Sequence, residues 1–335
     1  MRMRQLTPDI EVSEIGFGNW TVTTGWWGDY SRQEAVALHR AAFDAGVTFF
    51  DTASVYHDGY GEEVLAEALG EVREQIVIGT KFGYDLDVDL GSRGQQERPH
   101  RTDVASVAGA LDDSLRRLGT DVIDVWQLHT PRMAHLVDDE LFAFLQQVKE
   151  EGKVRATAIA LGPRIGWRDE GLHAMHTRDV DVVHMIHNML EQDPGRDLVA
   201  AARETDTGLI VRVPHSSGLL EGHLHADTVF PANDHRRHRP RSWLLEGVQK
   251  VERLRFLERS DRTLGQAALR WVLDHDVAAT ALPNIYDVDQ LQEFVGASDA
   301  VDLTDEEHRM VAELYADGFG VVPEADQETR LRDVS

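Results

Sequence analysis

The chain has 335 residues, 42% hydrophobic and 28% charged, enough apolar material for a sizeable core beneath a charged surface. Asp plus Glu number 59 against 34 Lys plus Arg, and the resulting formal charge of −25 repels phosphate backbones and anionic lipid, so nucleic acid and membrane are poor partners. Cysteine is absent, which removes disulfides, thiolate metal sites and a cysteine nucleophile. The opening segment has no apolar signal core and no stretch approaches the roughly 18–20 apolar residues of a membrane span, so a cytoplasmic location is expected.

In chain order, eight short apolar runs rich in β-branched residues occupy 15–19, 47–52, 76–81, 122–128, 154–160, 180–186, 208–213 and 280–283. They are nearly continuously apolar rather than alternating, the pattern of parallel strands covered on both faces. Helix signals fall between them: Ser31 ahead of Arg32-Gln33-Glu34-Ala35, Thr102-Asp103 ahead of Val104, and Gly119 just past Leu118. No GxGxxG fingerprint follows the first strand, which favours a closed barrel over an open doubly wound sheet. The predicted fold is therefore α/β, a single (β/α)8 TIM barrel spanning 1–335, with an N-terminal β-hairpin, a long loop after strand seven and a C-terminal helical tail. That loop, 215–242, would leave the active-site face and is a candidate lid; the tail from 304 onward is expected to be helix followed by a mobile end.

In such a barrel the polar residues that finish each apolar run converge on one mouth. Strand two ends Phe50-Asp51-Thr52-Ala53-Ser54-Val55-Tyr56, strand three Gly79-Thr80-Lys81, and strand four Gln127-Leu128-His129. Asp51 and Lys81 can pair, and a lysine cation beside Tyr56 is expected to lower the phenol's pKa toward neutrality. His129 would orient a substrate oxygen. Singly these are an ordinary strand-end acid, phenol, lysine and histidine. As a set they form the proton-transferring, oxyanion-stabilising group that carbonyl reduction needs.

With these residues in view, the sequence resembles the aldo-keto reductase family. The resemblance runs through Ile15-Gly16-Phe17-Gly18, Phe49-Phe50-Asp51-Thr52-Ala53, Gly61-Glu62-Glu63-Val64-Leu65, Thr80-Lys81, Leu128-His129, Ser217-Gly218-Leu219-Leu220 and Ala268-Leu269-Arg270-Trp271, and covers most of 4–298. It implies a catalytic set of Asp51, Tyr56, Lys81 and His129, and hydride transfer between a nicotinamide dinucleotide and a small carbonyl or alcohol. The cofactor-contacting residues it implies are Gly18, Asn19, Trp20, His184, Arg212, Ser216, Gly218, Leu219 and Gln290.

The sequence departs from the family where the nicotinamide would sit. Ala160-Leu161 replaces a usual Ser-Asn pair, His184 a glutamine, and Arg212 a stacking aromatic. Asp287 and Asp289 lie in the segment that often binds the 2′-phosphate of NADPH, so NADH is expected over NADPH unless a loop residue such as Arg236 or Arg237 reverses it. Trp20, Trp26, Trp27 and Tyr30 are candidates for a pocket wall, with simple packing of the first loop as the alternative. His215, His223, His225, His235 and His238 lie in a polar loop without a carboxylate frame, and no metal site is assigned. Two other functions share the tetrad: a redox-neutral lyase or isomerase with a degenerate nicotinamide site, and a non-catalytic regulatory barrel. Substrate identity and oligomeric state are not legible.

Overall fold

The computed structural model describes residues 1–88, 97–162 and 167–322. An antiparallel hairpin, β1 (Met3–Thr7) and β2 (Ile10–Ser13), precedes eight parallel strands: β3 (Phe17–Gly18), β4 (Phe49–Asp51), β5 (Val77–Phe82), β6 (Ile123–His129), β7 (Val154–Ala160), β8 (Val182–Ile186), β9 (Gly208–Arg212) and β10 (Ala278–Leu282). Each of the eight neighbours the next in sequence order. Glu14 and Gly16 close the ring, through hydrogen bonds from Gly16 N–H to Ala281 O and from Ala281 N–H to Glu14 O, both 2.9 Å. A Cβ on Gly16 would lie 2.7 Å from Leu282 and 2.9 Å from Thr280, so the seam closes this tightly because the residue is glycine.

Helices cover the outside: α1 (Trp20–Thr23), α2 (Arg32–Asp44), α3 (Tyr60–Leu69), α4 (Val104–Leu118), α5 (Met133–Leu136), α6 (Asp139–Glu150), α7 (Arg168–Thr177), α8 (Gly195–Thr205), α9 (Arg241–Leu254), α10 (Leu264–Leu273), α11 (Val288–Val295) and α12 (Asp305–Ala316). Their ends follow local chemistry. Ser31 and Glu34 form a reciprocal capping box on α2, Asp103 caps α4, and Gly119 ends α4 in the left-handed conformation. The tail begins as α12; the end expected to be mobile, 323–335, lies outside the described residues.

Alternation along the strands sorts side chains into two cores. Outward-facing Phe50, Ile78, Trp126, Ile159, Val183 and Val211 pack beneath the helices. Inward-facing Phe49, Val77, Val125, Ala158, Val182 and Ile210 fill the barrel's lower half together with Leu6, Ile10 and Val12 of the hairpin, which plugs that end. With the bottom sealed, the next inward positions along each strand supply the polar groups at the opposite mouth.

Candidate active site

Asp51 ends β4, Lys81 lies near the end of β5, and His129 ends β6, so neighbouring strands deliver them side by side. Tyr56 sits in the turn that follows β4, its N–H on the Ala53 carbonyl. The Lys81 ammonium donates to Asp51 Oδ2 at 2.5 Å, to the Thr52 carbonyl at 2.7 Å and to the Tyr56 hydroxyl at 3.2 Å. Lys81 and Asp51 are both buried. Beneath the pair, Gln127 donates from Nε2 to Asp51 Oδ1 at 2.8 Å, and its Oε1 accepts from His184 Nδ1 at 2.9 Å. Gly79 leaves room for this bond, since a Cβ there would stand 3.1 Å from the Gln127 amide and 3.3 Å from the Asp51 carboxylate. The result is a continuous buried chain from His184 through Gln127, Asp51 and Lys81 to Tyr56.

The electrostatics correct one expectation. Burial raises the Tyr56 pKa by more than Lys81 and Arg212 lower it, so the phenol is held protonated rather than brought toward neutrality. For Lys81, burial opposes the charge, but Asp51 and Tyr56 outweigh it and the pKa is raised. His129 and His184 are driven well below the ordinary histidine value, by burial first and then by the Lys81 and Arg212 cations. Both are neutral imidazoles at pH 7. The His129 ring meets the edges of Tyr56 and Tyr84, with centroids 6.3 and 5.0 Å away.

These groups open into a cavity of about 1010 Å³ at the mouth. Of the residues singled out by sequence, Asp51, Tyr56, Lys81, His129, Gly18, Trp20, His184 and Arg212 line it, together with Trp26 and Trp27. Tyr30 points elsewhere, its hydroxyl donating to the Tyr286 carbonyl. Asn19 is buried and ties the end of β3 to α3 through the Gly61 carbonyl. Ser216 donates to Glu191, Gly218 and Leu219 lie in the turn after β9, and Gln290 of α11 reaches Glu221 of that loop at 3.2 Å, so these four stand beside the cavity rather than in its wall. The 215–242 loop is clasped to the first loop: His235 N–H donates to Trp26 O at 2.7 Å, Asn233 to Asp29 at 2.9 Å, and Trp27 bridges Asp234. Among the described residues, no three His, Asp or Glu side chains converge as a metal site.

Sequence reading missed Gln127 and Tyr84. Gln127 lies two residues before His129 and so points to the same inner face, a signal that period-two counting along β6 would have caught. Tyr84 is visible only through its contacts, a hydroxyl shared with Thr130 and Glu97.

Residues 14–316 match the Aldo/keto reductase family. The chain belongs to that family. Members are NAD(P)H-dependent oxidoreductases, and this aldo/keto reductase is 28% identical to aldo-keto reductase YhdN of Bacillus subtilis over 82% of its own length and 81% of the relative's. It is 27% identical to the NADH-specific methylglyoxal reductase of Escherichia coli, over 92% and 96% of the two chains. The holo form of an aldo-keto reductase from Bacillus halodurans superposes with a TM-score of 0.76 at 27% identity, covering 98% and 99% of the chains. A glycerol dehydrogenase from Gluconobacter oxydans shares the fold, with a TM-score of 0.80 at 24% identity over 98% of each chain. Among the described residues no helix is long and apolar enough to cross a membrane.

Proposed function

We propose that this aldo/keto reductase reduces a small aldehyde or ketone, or oxidises the matching alcohol, with Tyr56 as the proton donor and NADH as the preferred cofactor. The observation that carries the reading is the Lys81 ammonium, which touches both the Asp51 carboxylate and the Tyr56 hydroxyl. When bound, the nicotinamide supplies the hydride. Tyr56 enters the reaction protonated and gives its proton to the carbonyl oxygen as negative charge develops there. Lys81 stabilises the phenolate left behind, Asp51 and the Thr52 carbonyl fix the ammonium, and neutral His129 offers one N–H to the same oxygen.

The residues present fit a nicotinamide dinucleotide in a rebuilt way. Buried His184 keeps Nε2 without a partner, an acceptor available to the carboxamide that Ala160 and Leu161 cannot bind through side chains. After β9, Val213, Ser216 and Ser217 have φ of 56°, 48° and 59°, left-handed backbone ahead of Gly218 that suits close approach of a pyrophosphate. Preference for NADH is supported where the 2′-phosphate would lie: the Tyr286 hydroxyl donates to Glu221 at 2.9 Å, Asp287 caps α11, and Arg236 is engaged by Asp234 at 2.7 Å. An added phosphate dianion would meet carboxylates there.

Titrating the protein with NADH and NADPH, read by tryptophan quenching, tests the reading together with carbonyl-dependent loss of reduced-nicotinamide absorbance. Micromolar binding, tighter for NADH, and turnover are expected. Absence of binding up to millimolar cofactor would replace this reading with redox-neutral lyase or isomerase chemistry on the same tetrad. That second reading is favoured by one observation: Arg212 already spans the carbonyls of Leu161, just past β7, and His184, within β8.

A further inference from the structure

Arg212 ends β9 with its guanidinium in the mouth. It donates from Nη1 to the His184 carbonyl at 3.4 Å and from Nη2 to the Leu161 carbonyl, and among the described residues no carboxylate lies within 4.0 Å of it. Of the other cations of the wall, Lys81 is paired with Asp51, Arg98 with Asp58 and Arg132 with Glu97, while Arg239, on the loop after β9, donates among the described residues only to the Ser217 hydroxyl. Glu191, the remaining carboxylate there, is taken up by Asn188 and Ser216. Burial works against the Arg212 charge and lowers its pKa, and the fields of Tyr56 and Asp51 offset this only in part. The neighbouring His129 and His184 are neutral and do not compete for an anion.

We propose that Arg212 anchors a carboxylate on the substrate, so that the carbonyl compound reduced is a small oxo acid. The inference rests on the reductase reading and names its substrate class. A guanidinium with two N–H groups on carbonyls keeps a face of donors, and its planar fork matches a carboxylate where a lysine would present only a point charge. In a molecule of net charge −25, an anionic substrate needs such a local cation. The arrangement also relieves a conflict: a bare Arg212 would oppose the positive charge of oxidised nicotinamide, whereas a carboxylate-paired Arg212 would not. In the reaction, hydride from NADH forms the new C–H bond at the carbonyl carbon. The carbonyl π electrons pass to oxygen, which takes the Tyr56 proton, and the products are NAD+ and a hydroxy acid with its carboxylate unchanged.

Two matched pairs test this, with NADH as donor: glyoxylate against methylglyoxal, and 4-oxobutanoate against butanal. The wild type is expected to favour the anion in kcat/KM by about 10- to 100-fold, the size of a charge-assisted pair, with the ratio falling as salt rises. Arg212→Gln should bring the ratio to about one, read within that variant as glyoxylate against methylglyoxal, and Arg212→Lys should recover part of it. A wild-type ratio at or below one overturns the inference, as does an Arg212→Gln protein that keeps the preference. Oxamate binding, read by tryptophan fluorescence without turnover, separates the two levels. Oxamate binding lost in folded Arg212→Gln supports the anchor even where no carbonyl is reduced, and absent or equal binding in both proteins sinks it. Failure of NADH to bind sinks the reductase reading instead.

Discussion

Burial outweighs the Lys81 and Arg212 cations at Tyr56, so the phenol begins each reduction with its proton in place. Tyr56→Phe removes that proton and leaves the ring, and carbonyl reduction is expected to fall by about 10²- to 10⁴-fold with NADH binding and thermal midpoint little changed. An equal loss of NADH binding would assign Tyr56 to the cofactor site instead. Gln127 acts one layer down, as a positioning residue for Asp51 and His184. Gln127→Met orphans the Asp51 Oδ1 acceptor and the His184 Nδ1 donor, and at about 1–3 kcal/mol for each buried unpaired group the variant should lose roughly 2–6 kcal/mol of stability in urea unfolding. A wild-type midpoint in that variant would mean that water replaces the amide. Three of the tetrad were legible in the sequence because Asp51, Lys81 and His129 each close an apolar run, and Tyr56 because it follows Asp51 in the segment that carries the family resemblance. Gln127 was not, because a glutamine inside a run reads as a lapse in the strand until its two partners are seen.

Among the elements, the barrel seam depends on an ion pair that strand patterns do not reveal. Glu14, between β2 and β3, accepts from Arg270 of α10 at 2.8 Å and from Arg4 of β1 at 3.0 Å, with Glu14 and Arg270 both buried. One carboxylate thus holds the hairpin, the seam and a covering helix. Arg270→Leu leaves Glu14 with only the partly exposed Arg4, and removal of one partner of a buried pair is expected to cost about 3–5 kcal/mol, measured as a shift in the unfolding midpoint. The double variant Glu14→Leu with Arg270→Leu should recover part of the loss, since only the partly exposed Arg4 is then without its carboxylate; no recovery would place the effect in packing of α10 instead. The 215–242 loop shows the limit of reading elements from sequence. Its length and position marked it as a candidate lid, and only the structure shows the contacts with Trp26, Trp27 and Asp29 that join it to the first loop.

Across the whole molecule, acid sensitivity follows from histidines buried neutral. Burial lowers His39 and His215 to about 4 and His187 to about 3. A depressed folded-state pKa means that the unfolded chain binds more protons between about 3 and 6.5, so this stability is present above 6.5 and is lost as pH falls. At pH 5 each costs about 2 kcal/mol relative to pH 7. Glu221 works the other way. Burial raises it to about 7, so its contribution is lost as pH rises from about 4.5 to 7, roughly 2 kcal/mol between pH 5 and 7. Three histidines outweigh one glutamate, and urea midpoints should rise from pH 5 to pH 7. A flat or falling profile would show that these histidines are hydrated or paired in the folded protein.

By itself the sequence determined the repeat of strand and helix, the inward polar residue at each strand end, the order of the tetrad and the resemblance to the family, because these depend on local periodicity and on residue type at a position. It also exposed the departures at Ala160, Leu161, His184 and Arg212. Only the tertiary structure decided the rest: that the Tyr56 phenol stays protonated, that His184 reaches Asp51 through Gln127, and that among the described residues no carboxylate lies within 4.0 Å of Arg212. Each is a sum over neighbours from separate strands, in burial, charge and hydrogen bonding, and such sums exist only once the barrel has closed.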